Sequence, residues 1–377
     1  MFRHRFLFVL LLLAGMEQFA AGEAEQWLNY HWAREARQIV GGMGSRDLEL
    51  KTEKPAEVKM PEFKCENPYY VQWSSPLAKN GSIRIALDRR HKNGGYDLLY
   101  IDSNGDGHLN DETAVTAYQI EQNSSSFGPA KVTLIIEDEP IAYHLNFRFY
   151  NYEHYRKLRA SSGGWYEGSI VVAGEKKHCV LIDQNANGTF DDKSIRFHKS
   201  DRVRIGKKPA RNSRYVGNYI ESDGKLYRLA IARDGAYVKL TPAEDAKFGD
   251  INLPECITSF AVGGKNGSFT RKMKNGTAKL PVGKYRLDHW TIDRKDEKGD
   301  KWKLKGRRFG DQGVFDVTES GPANLTVGEP VICTLTMKKK KNQYSFSHKL
   351  KGKLDERVEI TRNGSRAKAP KLHIKCE

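Results

Sequence analysis

Residues 96–112 read Y-D-L-L-Y-I-D-S-N-G-D-G-H-L-N-D-E. The apolar run at residues 98–101 predicts a buried β-strand, and polar residues follow it directly. Oxygen-bearing side chains then alternate, and Gly107 permits a tight turn, so one loop can direct several oxygen ligands to a single point. The stretch therefore predicts a calcium-binding loop. Its candidate ligands are Asp102, Asn104, Asp106, the carbonyl of His108, Asp111 and the nearby Glu112.

The same pattern returns at residues 178–192, H-C-V-L-I-D-Q-N-A-N-G-T-F-D-D. A calcium-binding EF-hand carries glutamate at position 12, where this chain has Thr113 and Ser194. Asp111 and Asp192 both stand at position 10 and are the natural replacements. The first loop has more carboxylates, so we expect it to bind calcium more tightly, although such sequences also form tight turns without a metal. The candidate ligands of the second loop are Asp183, Asn185, Asn187, Thr189 and Asp192.

Both loops resemble the strand-entered Asp-x-Asn-x-Asp-Gly loops of secreted calcium-binding proteins, and more loosely those of EF-hand, dockerin and thrombospondin type 3 repeats. This resemblance implies Ca²⁺ as the cofactor. It covers the two loops alone. The chain as a whole looks similar to large secreted protein families of environmental bacteria, and that similarity implies no function.

Three landmarks suggest an internal duplication. Gly81-Ser82-Ile83 is echoed at residues 168–170, the two loops begin 81 residues apart, and Tyr143 is echoed 84 residues later by Tyr227. A nearly constant offset predicts two copies of a hairpin and metal-loop unit. We therefore expect a duplicated β domain over residues 62–240, with repeats at about 62–160 and 161–240.

The N-terminal region predicts export. Residues 1–22 combine basic residues, a short apolar run and small residues in the order of a signal peptide, which predicts a secreted or periplasmic protein with no transmembrane segment once the signal is removed. Residues 23–40 show helical spacing of apolar side chains, and residues 43–61 are charged and non-periodic. We therefore expect a short N-terminal helix and a linker over 23–61. Five cysteines are too few, and odd in number, for a disulfide scaffold.

The C-terminal region, residues 241–377, predicts a basic β-sandwich. Nine short strands separated by Gly and Asn turns are expected between residues 257 and 361. Residues 280–285, L-P-V-G-K-Y, resemble a hairpin of transthyretin-like and carboxypeptidase-regulatory-like sandwiches, which are accessory domains. This region holds 29 Lys and Arg against 17 Asp and Glu, a net charge of +12 out of +16 for the chain. An acidic polysaccharide or an anionic cell envelope fits this charge, whereas export disfavours nucleic acid. The candidate contacts are Lys338, Lys339, Lys340 and Lys341.

Two functions remain open. The first is a non-enzymatic calcium-binding protein, structural or ligand-binding, in which Ca²⁺ stabilises the β domain. The second is a carbohydrate-active protein, either a binding module or a hydrolase, because residues 147–155 are rich in aromatic side chains that could stack on sugars. The chain has no nucleophile elbow, no His-Glu-x-x-His motif and no nucleotide-binding glycine loop, which favours a protein that is not an enzyme.

Overall fold

The computed structural model describes residues 24–91, 94–209, 213–341, 343–368 and 371. The predicted signal peptide lies outside the described residues. Within them the regular secondary structure is almost entirely β-strand, with one five-residue α-helix and two short 3-10 helices, which confirms the mainly β fold class. No helix of the described residues is long and apolar enough to span a membrane.

The N-terminal segment contains β1 (Gln26–Trp27), β2 (Asn29–Trp32), α1 (Ala36–Val40) and β3 (Arg46–Leu48). The central region contains β4 (Tyr69–Ser74), β5 (Ser82–Asp88), β6 (Leu98–Ile101), β7 (Val115–Thr116), β8 (Gln119–Glu121), β9 (Ser124–Ile136), β10 (Glu139–Tyr152), β11 (Tyr155–Ser162), β12 (Gly164–Val172), β13 (Glu175–Ile182), a 3-10 helix (Phe197–Lys199), β14 (Arg202–Gly206), β15 (Arg214–Tyr215), β16 (Tyr219–Ser222), β17 (Lys225–Ile231) and β18 (Tyr237–Pro242).

The C-terminal region contains β19 (Phe248–Asn252), β20 (Ser259–Gly264), β21 (Gly267–Lys272), β22 (Thr277–Pro281), β23 (Gly283–Lys295), β24 (Lys301–Arg307), a 3-10 helix (Gly310–Gly313), β25 (Val314–Val317), β26 (Ala323–Asn324), β27 (Ile332–Lys340), β28 (Gln343–Lys351), β29 (Arg357–Arg362) and β30 (Ser365–Arg366). All nine strands expected between residues 257 and 361 are present, with ends that differ by a few residues.

The central region is made of four sheets whose paired strands are all antiparallel. Their strand orders are β4-β5-β6-β7, β15-β14-β13-β12-β2, β3-β11-β10-β9-β8 and β1-β18-β17-β16. The C-terminal region has a large sheet with the path β21-β20-β23-β24-β29-β28-β27 and a small one with the order β22-β19-β26, in which β26 runs parallel to β19.

The short N-terminal helix is present as α1, but it covers only the end of the stretch that the sequence predicted to be helical. Residues 24–35 contain β1 and β2 instead. The predicted linker also contains a strand, β3. Each of the three strands adds to the edge of a different sheet: β1 pairs with β18, β2 with β12 and β3 with β11. These hydrogen bonds are long-range, so the pairing overrides a local periodicity that favours a helix.

The two halves of the central region share a strand order. In the first half the sheet β4-β5-β6-β7 leads into the first loop at the end of β6. In the second half β2-β12-β13-β14 leads into the second loop at the end of β13, with the N-terminal strand β2 in the place of β4. The duplication stays a prediction, and this arrangement is compatible with it.

Two hydrophobic clusters account for most of the interior. The larger one runs through both halves of the central region and includes the fully buried Trp73, Phe127 and Phe149. The second cluster lies in the C-terminal region around Phe260 and Trp290. Because one cluster serves both halves of the central region, neither half can bury its apolar side chains alone.

A glycine of the N-terminal segment packs directly on the second loop. A Cβ added at Gly44 would lie 1.9 Å from the backbone oxygen of Gln184, so Gly44→Ala should force the segment away from the loop. We expect a loss of about 1–3 kcal/mol in the free energy of unfolding, measured by urea denaturation. Gly206→Ala is the matched control, because a Cβ there meets nothing within 4 Å. Equal stability of the two variants would contradict this packing.

Lowering the pH should weaken the packing of β2 against His144. His144 is 7 % exposed and stacks on Trp32, with ring centroids 4.6 Å apart, and on Tyr30. Burial, helped by the Lys131 ammonium, lowers the pKa of His144 from 6.5 to about 4. The unfolded chain therefore binds a proton in this range that the folded protein excludes. This contribution to stability is complete above about pH 6.5 and is lost as the pH falls towards 4.

When the pH is lowered from 7 to 5, we expect the contribution of His144 to the free energy of unfolding to fall by about 2 kcal/mol. The measurement compares urea denaturation of the wild type and His144→Gln at the two pH values. Because the other titrating groups act in both proteins, the difference between their pH slopes isolates His144. Equal slopes would show that this imidazole is not held in its neutral form.

Candidate metal centre

The first loop begins where β6 ends and turns its first carboxylate into the protein. The Asp102 N–H donates to the Arg84 carbonyl (3.0 Å), which continues the strand by one residue. The Asp102 side chain is completely buried. Gly105 and Gly107 have φ values of 75° and 90°, a conformation that other residues rarely adopt, so these glycines allow the chain to fold back over the carboxylate.

One oxygen of the Asp102 carboxylate has no hydrogen-bond partner among the described residues. Its Oδ2 accepts the Gly107 N–H (3.0 Å), whereas its Oδ1 is buried and unpaired. Burial raises the pKa of Asp102, the backbone N–H groups of Gly107 and Gly105 oppose this rise, and the nearby carboxylates of Asp106 and Glu112 add to it. An unpaired buried carboxylate oxygen is costly, and either a cation or an ordered water would satisfy it. The residue at position 1 of the loop therefore fits a metal.

The remaining side chains of the first loop are joined by hydrogen bonds within the loop. Asn104 Oδ1 accepts the Asp106 N–H (2.9 Å), and Asp106 Oδ1 accepts the His108 N–H (2.7 Å). Asn104 Nδ2 donates to Asp111 (3.1 Å), so the carboxylate at position 10 does reach the loop. The His108 imidazole accepts the Lys59 N–H (3.2 Å), which leaves the carbonyl as the group that His108 can offer.

Glu112 has a different role from its neighbours. Its Oε1 accepts the Ser103 N–H (2.5 Å) and its Oε2 accepts the Ser103 hydroxyl (2.8 Å). Both oxygens are therefore engaged in closing the loop on itself. The structure makes Glu112 a clamp on the loop backbone, so the candidate ligands of the first loop reduce to Asp102, Asn104, Asp106, the His108 carbonyl and Asp111.

The second loop is buried more deeply and is better satisfied by hydrogen bonds. Both oxygens of the buried Asp183 accept backbone N–H groups, from Asn187 (3.3 Å) and Gly188 (2.8 Å). The Tyr143 hydroxyl of β10 also donates to Asp183 Oδ2 (2.7 Å). Burial raises the pKa of Asp183 to about 6 in spite of these donors.

Asp192 accepts hydrogen bonds from other polar side chains of the second loop. Its Oδ2 accepts hydrogen bonds from Asn185 Nδ2 (2.8 Å), Asn187 Nδ2 (2.7 Å) and the Thr189 hydroxyl (3.0 Å). The amide groups at positions 3 and 5 thus direct donors, and not oxygens, at the carboxylate of position 10. In the second loop the position-1 carboxylate is paired and the Oδ1 of Asn185 is buried without a partner, whereas in the first loop an oxygen of the position-1 carboxylate itself is unpaired.

The sequence did not indicate the clamp of the second loop. Asp201 accepts the Gln184 N–H and the Asp192 N–H, each at 2.9 Å, as Glu112 accepts the Ser103 N–H in the first loop. The offset of 81 residues places Lys193 at the position of Glu112, and Asp201 lies eight residues further on. Burial and the carboxylates of Asp183 and Asp192 raise the pKa of Asp201.

The described residues contain no group of three or more His, Cys, Asp and Glu side chains that could hold a metal ion. A cation at either loop would have to use asparagine, backbone and water oxygens beside the aspartates. Calcium accepts such ligands in a flexible shell of six to eight oxygens. Magnesium and zinc demand stricter geometries.

The other predicted site residues lie apart from the loops. The four lysines 338–341 are exposed at the tip of the β27–β28 hairpin in the C-terminal region. The aromatic stretch is divided: Phe147 and Phe149 are buried in the core, whereas Tyr152 and Tyr155 are about half exposed. A sugar-stacking surface along the whole stretch is therefore excluded. Cys65, Cys179, Cys256 and Cys333 are free thiols.

Comparison of the chain with protein-family models, with curated proteins and with solved structures finds no match.

Two variants of Glu112 distinguish a clamp from a metal ligand. Glu112→Ala removes both acceptors of Ser103, and we expect a loss of about 1–2 kcal/mol in the free energy of unfolding in chelator. Glu112→Gln keeps an oxygen for the Ser103 N–H and can donate to the hydroxyl, so its stability should stay within about 0.5 kcal/mol of the wild type. Any calcium affinity should also survive in Glu112→Gln. A large loss of affinity in that variant would make Glu112 a ligand.

Proposed function

We propose that this protein is an exported, non-enzymatic calcium-binding protein in which Ca²⁺ at the first loop stabilises the central β region. The unpaired, buried Oδ1 of Asp102 is the observation that carries this proposal. Asn104, Asp106, the His108 carbonyl and Asp111 supply further oxygens within one turn, and water completes the shell. Calcium is favoured because its ligands are oxygens at variable number and distance.

The role of calcium follows from where the first loop packs. The Thr133 N–H of β9 donates to the Ser103 carbonyl (2.9 Å), and the Leu109 N–H donates to the Lys59 carbonyl (2.8 Å). The loop therefore links β9 to the segment that precedes β4. A cation bound to Asp102 would hold these contacts together and would stabilise the folded state by mass action. Outside the cell, where calcium is abundant, even a weak site of this kind stays filled.

The second loop is proposed as the weaker site. Binding a cation there would break the hydrogen bonds that Asp192 accepts from Asn185 and Asn187 and would require both amides to turn. In the first loop a single amide makes the corresponding hydrogen bond, from Asn104 to Asp111, so fewer hydrogen bonds have to be exchanged. The larger number of carboxylates in the first loop also favours tighter calcium binding there.

Calorimetric melting of the mature protein in chelator, and then with calcium or magnesium, tests the proposal. At a calcium concentration 100 times Kd the gain is about 2.7 kcal/mol, which corresponds to several degrees in Tm. Asp102→Asn keeps the size of the side chain and removes its charge, and it should abolish the calcium-specific rise. Asp245→Asn is the control, since Asp245 forms an exposed ion pair with Arg228.

The proposal fails if calcium leaves the Tm of the wild type unchanged, or if Asp102→Asn keeps the full calcium-dependent rise. In the first case both loops are turns held by their own hydrogen bonds. In the second case the cation binds elsewhere, and the same experiment on Asp183→Asn tests the second loop.

A further inference from the structure

The β27–β28 hairpin projects from the C-terminal sheet. Its two nine-residue strands pair along their whole length, from Ile332 with Lys351 to Lys340 with Gln343. In the described residues the hairpin is joined to the neighbouring strand β29 through one pair, Lys351 with Arg357. Two-stranded hairpins are marginally stable alone in water, so an extended one gains from a surface that covers it.

One face of the hairpin is apolar and open to solvent. Directly paired residues point to the same side of a sheet, which places these pairs on one face: Cys333 with Leu350, Leu335 with His348, Met337 with Phe346, and Lys339 with Tyr344. Leu335, Met337 and Tyr344 are 57, 58 and 51 % exposed. The opposite face carries Ile332 with Lys351, Thr334 with Lys349, Thr336 with Ser347, Lys338 with Ser345 and Lys340 with Gln343. A contiguous exposed apolar strip of this kind marks an interaction surface.

A groove continues this apolar face towards the main sheet. It has a volume of about 1210 Å³ and lies between the hairpin and strands β24 and β29. Its apolar lining is Trp302, Cys333, Leu350, Val358 and Ile360. Its basic lining is Arg308, Lys349, Lys351, Arg357, Arg362, Arg366 and Lys368, against the two carboxylates of Asp355 and Glu359.

The lysine run 338–341 lies at the far end of the same hairpin, where β27 turns into β28. The surface therefore has an apolar strip with positive charge at its tip and along its groove. A second copy of this chain would bring two strongly positive regions together, which disfavours self-association. An acidic polysaccharide matches the lysines, but it offers nothing apolar to cover Leu335 and Met337.

We propose that the β27–β28 hairpin and the adjoining groove form a docking surface for an anionic lipid membrane. The apolar strip enters the boundary between headgroups and acyl chains, and the lysines and arginines contact anionic headgroups. This mode satisfies both the charge and the exposed apolar side chains. It is independent of the calcium loops, so the two proposals can fail separately.

Vesicle co-sedimentation of the purified mature protein in chelator tests this proposal, because chelator excludes calcium bridging. We expect binding to phosphatidylcholine vesicles that contain phosphatidylglycerol, little binding to pure phosphatidylcholine, and weakening by salt. Replacing lysines 338–341 with glutamine should lower the partition coefficient at least about 100-fold. Replacing the same four with arginine keeps the charge and should keep the binding.

A second pair of variants separates the two faces of the hairpin. Leu335→Ser with Met337→Ser removes apolar groups from the exposed strip, and we expect a loss of about tenfold or more in vesicle binding. Thr334→Ser with Thr336→Ser is the matched control on the opposite face of the same strand, and it should bind like the wild type. Hydrogen exchange of the wild type, which does not depend on any variant folding, should show vesicle-induced protection at β27 and β28.

Three results would overturn the proposal. Equal binding to neutral and anionic vesicles would show that the basic residues do not recognise anionic headgroups. Retention on alginate that depends on the lysines, without vesicle binding, would identify an acidic polysaccharide as the ligand. Concentration-dependent dimerisation in ultracentrifugation that is lost in the Leu335 and Met337 double variant would identify a second copy as the partner.

Discussion

The hydrogen bond from the Tyr143 hydroxyl to the Asp183 carboxylate joins the two halves of the central region. Both side chains are buried, so neither could bond to water if the partner were lost. Trp73 of β4 makes a similar link, because its indole N–H donates to the Ala186 carbonyl of the second loop (2.8 Å). The second loop is thus held by residues of the first half, and the large hydrophobic cluster forms around these contacts.

The N-terminal segment also contacts distant parts of the central region. Its three short strands close the edges of three different sheets, and Gly44 fits against the backbone of the second loop. Short edge strands protect a sheet from pairing with other chains. The segment therefore both completes the central region and covers edges that would otherwise be open.

The two loops show how one sequence pattern can produce two electrostatic environments. Both bury an aspartate at the end of a strand, and burial raises the pKa of each. In the second loop, neighbouring donors compensate the carboxylate. In the first loop one oxygen is left unpaired. The difference comes from the residues packed against each loop, since Tyr143 has access to the second loop only.

The sequence by itself determined the features whose causes are local. The apolar strand before Asp102, the glycine turns and the nine C-terminal strands follow from alternation and turn chemistry over a few residues. Tertiary structure decided the features that depend on distant partners: the strands of the N-terminal segment, the clamp roles of Glu112 and Asp201, and the Tyr143 contact with Asp183. Edge pairing and burial depend on groups that are far apart in the chain. The predicted helix at residues 23–40 shows the consequence. The local spacing of apolar residues favours a helix there, but part of the segment pairs as strands with the edges of two sheets.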